Sequence, residues 1–114
     1  MYISVLARSL RPGASYDDFV DAWYPEHGFG VPVRGPYTAR NIADEREIVA
    51  VGFVDVPDRR ALDDGLTRVA AQEAARHARI DEVIESTQLR GIYEVLDEFD
   101  FSTDESVARG RRRR

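Results

Sequence analysis

Apolar and polar side chains alternate along four stretches of this chain, and a two-residue period is typical of β-strands. The stretches are residues 2–8, 37–43, 47–56 and 87–97. We therefore predict four strands, the middle two joined by a tight connection over residues 44–46.

Two intervening segments carry apolar residues every three or four positions, as an amphipathic helix does. Ser15 predicts the start of the first helix, because its hydroxyl can cap it and the Asp18 carboxylate favours the positive end of the helix dipole. Pro25 predicts that this helix ends or kinks at Tyr24, since proline disfavours helical backbone in the residue before it. Asp58 caps the second helix, whose roughly 20 residues would span about 30 Å. The apolar positions are Tyr16, Phe19, Val20 and Trp23 in the first helix and Leu62, Leu66, Val69 and Ala70 in the second.

The order of elements, β-α-β-β-α-β, predicts an α+β fold of the ferredoxin-like type, a four-stranded antiparallel sheet with two helices on one face. The third strand is apolar on both faces, which an antiparallel strand with one face in water is not. Two helices cover only one face, so we expect a second copy to cover the other and form a homodimer. The residues expected on that open face are Val49, Val51 and Phe53, with Leu6, Ile92 and Leu96 from neighbouring strands.

Composition excludes several classes of protein and site. The 114 residues suit one domain, and the absence of cysteine excludes disulfides, thiolate zinc sites, iron–sulfur clusters and a catalytic cysteine. The net charge of −5 combines −10 over residues 1–108 with five arginines in the last six residues. An acidic body repels nucleic acid, and no apolar run is long enough to span a membrane, so we expect neither partner and a cytoplasmic location. We predict one domain over residues 1–101 and a disordered, arginine-rich tail over residues 102–114.

The first predicted helix ends in aromatic residues followed by a histidine, in the pattern Phe19-x-x-x-Trp23-Tyr24-Pro25-Glu26-His27. With the loop of three glycines and two prolines at residues 28–36 and the hairpin after it, this resembles the dimeric α+β barrel superfamily. It is most similar to the EthD-like and antibiotic-biosynthesis-monooxygenase-like branches, over roughly residues 1–97. The resemblance implies a dimeric α+β barrel. It also implies that cavity side chains work without metal or cofactor, as in some members of the superfamily.

Five residues are candidates for a functional site. His27 and Tyr37 are the candidate catalytic residues, because an imidazole titrates near neutral pH and can move a proton beside a polar aromatic side chain. Trp23, Tyr24 and Arg90 are candidates for ligand binding, the aromatic rings as flat apolar walls and the guanidinium as partner of a carboxylate or enolate. Structural roles stay open for them: a helix-end histidine at His27, a core residue at Trp23, and an interface salt bridge at Arg90.

The second histidine, His77, falls on the stripe of the long helix, and we expect it to pack or to be partly exposed. Two distant histidines make no metal motif, and Gly28-Phe29-Gly30 lacks the strand and helix of a phosphate-binding loop. We expect no metal and no cofactor.

Two classes of function stay open. The first is a small cofactor-independent enzyme, of monooxygenase, cyclase or isomerase type, acting on a hydrophobic aromatic or polyketide-like metabolite. The second is a non-catalytic dimeric protein that binds such a ligand. An enzyme needs a histidine or an acid facing the cavity, whereas a binding protein needs only apolar walls.

Overall fold

The computed structural model describes residues 1–108, which form an α+β fold with one four-stranded antiparallel sheet. Four strands and four helices follow one another as β1-α1-β2-β3-α2-α3-β4-α4. The strands are β1 (Tyr2–Leu10), β2 (Val33–Asn41), β3 (Asp44–Val54) and β4 (Ile84–Glu94). The helices are α1 (Tyr16–Trp23), α2 (Arg59–Arg68), α3 (Ala70–Asp81) and α4 (Asp104–Ala108).

The strands lie in the order β2-β3-β1-β4, and every neighbouring pair is antiparallel. β3 therefore lies between β1 and β2, and β1 lies between β3 and β4. Each of the two helical connections crosses one intervening strand. This arrangement puts β1 and β3 in the centre of the sheet, where both are paired along their length.

Helix α1 begins and ends where the sequence predicts. Ser15 accepts a hydrogen bond from the Asp18 backbone N–H at 3.1 Å, and the Asp18 carboxylate accepts one from the Ser15 N–H at 2.9 Å. This reciprocal pair is a capping box, which satisfies two backbone donors that the helix itself leaves free. The helix ends at Trp23, two residues before Pro25, as the proline requires.

The single long helix predicted after Asp58 is wrong, because the structure divides it into α2 and α3 at Val69. Asp58 does cap α2, accepting from the Ala61 N–H at 2.8 Å. At Val69 the backbone leaves the helical region, with φ −111° and ψ 10°. The apolar stripe does not signal this break, since both parts keep an inward-facing side. Three helices rather than two therefore lie on one face of the sheet.

Strand boundaries shift by a few residues from their predicted positions. β2 begins at Val33, inside the segment predicted as loop, and its pairing with β3 is irregular between Arg34 and Tyr37. The hairpin turn lies at residues 42–43, because Asn41 pairs with Asp44. The Asn41 side chain accepts a hydrogen bond from the Ala43 N–H at 2.8 Å, which stabilises that tight turn.

The apolar core fills one end of the space between the sheet and the helices. Phe19, Ile48 and Ile80 are its most deeply buried large side chains, with at most 2% of their surface exposed. Leu10 and Ile84 complete this cluster, and Trp23 packs against it. The core holds α1 and α3 against β1, β3 and β4.

The other face of the sheet is apolar and is not covered by any element within residues 1–108. Along β3 the burial alternates strictly, with Ile48, Ala50, Gly52 and Val54 buried and the residues between them partly exposed. Cross-strand partners share a face, so the register identifies the residues of this open face. Its larger apolar residues are Ile3, Val5 and Ala7 of β1, Val49, Val51 and Phe53 of β3, Leu89 and Tyr93 of β4, and Tyr37 of β2. The charged Arg34 of β2 lies on the same face, with the central carbon of its guanidinium 5.1 Å from the Phe53 ring centroid.

Three residues expected on the open face lie elsewhere. Ile92 pairs with Ser4, and Leu6 pairs with Arg90 and Ala50, so both side chains face the helices. Leu96 follows the end of β4 and is 74% exposed. The register explains the difference, because a one-residue change in pairing turns every side chain to the opposite face.

The short helix α4 lies within the segment predicted to be a disordered tail, and residues 109–114 of that tail lie outside the described residues. No helix within residues 1–108 has the length and apolar character needed to cross a membrane.

Candidate functional site

A cleft of about 270 Å³ lies between the sheet and the helices, beside the core. Most of its lining is apolar, and its charged side chains and its histidine lie on α3 and β4. The floor is Ser4, Leu6, Ala50, Gly52, Val54 and Ile92, and the walls include Phe29 and Val31 of the loop before β2, Val33 at the start of β2, and Leu62 and Leu66 of α2.

The loop wall is held against α2 by a close backbone approach. Gly30 has a positive φ of +82°, which favours glycine, and a Cβ there would lie 2.0 Å from the Gly65 carbonyl oxygen. A Cβ on Gly65 would lie 2.3 Å from a methyl carbon of Val31. Arg68 also donates a 2.9 Å hydrogen bond to the Gly30 carbonyl. Two glycines and one arginine therefore fix the wall that carries Phe29, Val31 and Val33.

Arg76 of α3 is the most connected charged residue in the cleft, and only 4% of its surface is exposed. Its guanidinium donates to both carboxylate oxygens of Glu73, at 2.6 and 3.2 Å, and to the Trp23 carbonyl at 2.7 Å. Its central carbon lies 5.8 Å from the Trp23 ring centroid and 5.3 Å from that of Phe29. Burial by itself would raise the pKa of Glu73, but the hydrogen bonds and charge of Arg76 lower it. Arg76 thus joins α3, the end of α1 and the loop into one wall.

His77 lies beside Arg76 and also lines the cleft. Arg8 of β1, which is 2% exposed, donates to His77 Nδ1 at 3.1 Å and to Asp81 at 3.3 Å. A guanidinium can only donate, so Nδ1 is the acceptor and the proton of the neutral ring sits on Nε2. Burial and the positive charges of Arg90, Arg76 and Arg8 lower the pKa of His77 to about 4. The ring is therefore a neutral hydrogen-bond donor at pH 7.

Arg90 completes the polar end of the cleft from the sheet side. This polar end consists of Glu73, Arg76, His77 and Arg90, with Arg8 behind His77. It lies opposite Leu6 in the β1–β4 pairing, on the face that looks toward the helices. Its side chain is exposed, and among the described residues no carboxylate lies within 4 Å of it. The charges of Arg76 and Arg8 are paired with Glu73 and Asp81, so Arg90 adds the unpaired positive charge at this end.

The structure brings two of the five predicted site residues together. Trp23 and Arg90 line the cleft, whereas His27, Tyr24 and Tyr37 are not among its lining residues. His27 is half-buried outside it and donates from Nδ1 to the Gly28 carbonyl at 2.7 Å. Tyr24 and Tyr37 are each 65% exposed, and Tyr37 lies on the open face with its ring edge toward Phe53.

Four residues of the polar end were missed by sequence reasoning. Glu73, Arg76 and His77 lie three and four positions apart, so their spacing alone puts them on one side of a helix. Charged residues on the inward stripe of an amphipathic helix are the sequence signal that points to them. Arg8 shares a face of β1 with Leu6, but its partner on α3 is 69 positions away and could not be read from the sequence.

Within residues 1–108, no three histidine, aspartate or glutamate side chains converge to hold a metal ion. Comparisons with protein-family profiles, with curated proteins and with solved structures give no match for this chain.

Proposed function

We propose that this chain is a small cofactor-independent enzyme that acts, as a homodimer, on a hydrophobic aromatic or polyketide-like metabolite bound in the cleft. The observation that carries the proposal is the pairing of apolar walls with one polar end that contains a neutral histidine. Ligand sites are typically apolar clefts with a few fixed polar groups. A volume of about 270 Å³ suits a small ligand, such as one with two fused rings.

The chemistry that fits this cleft is the making and breaking of an enol or enolate, a step that monooxygenation, cyclisation and isomerisation of such metabolites share. As a C–H proton beside a carbonyl passes to water, negative charge develops on the carbonyl oxygen. Hydrogen-bond donors fixed near that oxygen lower the barrier. His77 and Arg90 are donors of this kind on the cleft lining.

The test is hydrogen–deuterium exchange of β-tetralone, a bicyclic ketone, in heavy water at neutral pD, followed by proton NMR. We expect the protein to accelerate exchange about tenfold or more over buffer. Ala50→Phe, which fills the floor of the cleft, should abolish the acceleration, and Gln72→Ala on the exposed side of α3 should not. Far-UV circular dichroism checks that both variants fold. If Ala50→Phe does not fold, the smaller change Leu66→Phe takes its place in the test.

A non-catalytic ligand-binding protein is the second candidate function. The position of His27 and Tyr37 outside the cleft favours it, because neither predicted catalytic residue reaches the enclosed space. Binding of β-tetralone without accelerated exchange would support this candidate over the enzyme. No binding at all would overturn both.

We further propose that the fold is ferredoxin-like and that two copies form a dimeric α+β barrel. The arrangement of helical connections that each cross one strand supports the first part. The uncovered apolar face around Val5, Val51 and Phe53 supports the second, because a monomer would leave this surface in water. A second copy offers a face of the same shape and chemistry.

A further inference from the structure

We infer that the polar end of the cleft, where Arg90 and His77 meet the apolar walls, is an oxyanion site, so that the ligand carries one carboxylate or enolate oxygen on a hydrophobic body. The inference rests on the proposed function, because it concerns the ligand of the same cleft. It adds that the bound ligand itself carries the negative charge.

The first step of the argument is the unpaired charge of Arg90. Arg76 is neutralised by a bidentate pair with Glu73, and Arg8 has Asp81 at 3.3 Å. Arg90 lines the same cleft and has no such partner among the described residues. A guanidinium forms its strongest hydrogen bonds with carboxylate-like oxygens, and it can do so through two parallel N–H groups.

The second step is the fixed tautomer of His77. Because Arg8 donates to Nδ1, the remaining ring nitrogen, Nε2, carries a proton and needs an acceptor. Arg8 is itself 2% exposed and anchored to Asp81, so the ring is held in this state from behind. Ring and guanidinium thus both present N–H donors, and neither presents an acceptor.

The third step is the contrast with the rest of the lining. Leu6, Ala50 and Leu66 offer no polar side-chain atom, so the ligand body they accept is hydrophobic. An uncharged ligand of this shape would bury these walls and leave the Arg90 charge without a partner. A ligand with one oxyanion would bury these walls and also pair with Arg90, which makes the anion the better fit.

The experiment compares two fluorescent probes with the same ring system, anionic anilinonaphthalene sulfonate and uncharged phenylnaphthylamine. Trp23, the only tryptophan, lines the cleft and serves as energy donor to either probe. We expect Arg90→Gln to weaken binding of the anionic probe about tenfold, which corresponds to about 1.4 kcal/mol, and to change the uncharged probe by less than about twofold. Arg60→Gln, which removes the same charge from the exposed side of α2, is the control and should change neither.

Two substitutions at His77 separate recognition from folding. His77→Gln keeps an acceptor for Arg8 and a donor for the ligand, so it should retain most anionic-probe affinity. His77→Leu keeps neither and should lose it, with the uncharged probe again unaffected. Equal effects of Arg90→Gln and Arg60→Gln on the anionic probe would overturn the inference. Failure of the uncharged probe to bind wild-type protein would instead contradict the proposed function, so the two failures are distinguishable.

Discussion

Arg8 on the first strand donates a 3.1 Å hydrogen bond to Nδ1 of His77 on α3, although the two residues lie 69 positions apart in the sequence. The contact fixes which ring nitrogen carries the proton and places a positive charge against the imidazole. Protonation of His77 would place a proton on Nδ1, so that an N–H of the ring would face an N–H of Arg8 and the hydrogen bond would be lost. The stability of the protein and the chemistry of the cleft are therefore linked through this pair.

The first prediction concerns the dependence of stability on pH. The pKa of His77 is about 4 in the folded protein, below its ordinary value of 6.5, so the unfolded chain takes up a proton first as the pH falls. The contribution of the neutral ring to the free energy of unfolding is complete above about pH 6.5 and is lost as the pH drops toward 4. We expect the urea midpoint to fall over this window in wild-type protein.

The matched variants for this prediction are His77→Gln and Gln72→Ala, measured at one fixed protein concentration. His77→Gln should flatten the profile between pH 6.5 and 4, and Gln72→Ala, an exposed change on the same helix, should leave it close to wild type. The pKa of Glu73 is lowered from its ordinary value of 4.5, so this carboxyl changes the stability only at the acidic end of the window. An unchanged slope in His77→Gln would contradict the assignment.

The second prediction concerns Arg76, which joins α3 to the last turn of α1. Arg76→Met removes the bonds to Glu73 and to the Trp23 carbonyl and leaves a partly buried carboxylate without its partner. We expect a loss of about 3 kcal/mol in the free energy of unfolding, measured by urea denaturation. Arg60→Met, at an exposed pair, should change it little. A loss below about 1 kcal/mol for Arg76→Met would show that the bonds of Arg76 to Glu73 and Trp23 do not stabilise the fold.

The third prediction concerns the glycine contact between α2 and the loop. Alanine normally favours a helix over glycine by about 1 kcal/mol, but at Gly65 its Cβ would lie 2.3 Å from Val31 and 2.5 Å from the Gly30 oxygen. We expect the clash to win, so that Gly65→Ala loses about 1–3 kcal/mol and weakens probe binding by displacing the loop wall. Gly28→Ala has no atom within 4 Å and is the control in the same loop. A more stable Gly65→Ala protein would disprove the close approach.

The fourth prediction concerns the open face of the sheet. Val51 lies at its centre, opposite Val5 on one side and Tyr37 on the other. Sedimentation of wild-type protein at micromolar concentration should give a dimer, and Val51→Asp should give a monomer, because a carboxylate cannot be buried there without a partner. Gln72→Asp adds the same charge on an exposed helix position and should leave the dimer intact. A monomeric wild type would refute the dimer outright.

Local chemistry explains why the sequence predicts the ends of α1 and the number of strands. Ser15, Asp18 and Pro25 act on neighbouring backbone, so their effect is visible without knowing the fold. The face on which Leu6 and Ile92 lie is less predictable, because it depends on which residues they pair with on the neighbouring strands, and alternation within one strand does not reveal the register.

The polar end of the cleft depends on contacts between distant segments and was only partly predictable. The mixed face of its strand points to Arg90, and the aromatic pattern of α1 points to Trp23, and both line the cleft. For His77 the sequence predicts only a packing or partly exposed residue, because its role depends on Arg8 and Arg90 from two strands. The chemistry of His27 and Tyr37 and their place beside a glycine-rich loop predict a site there, but it is Phe29 and Val31 of the loop that line the cleft.

Methyl NMR of the protein with phenylnaphthylamine tests most directly whether the space between sheet and helices is the ligand site. The cleft and the open face carry separate methyl reporters, Leu6, Leu66 and Ile92 in the cleft and Ile3, Val5 and Val51 on the open face. We predict saturable shift changes in the cleft set at ligand concentrations that leave the open-face set unmoved. Shifts confined to the open-face methyls, with the cleft set unchanged, would contradict the account.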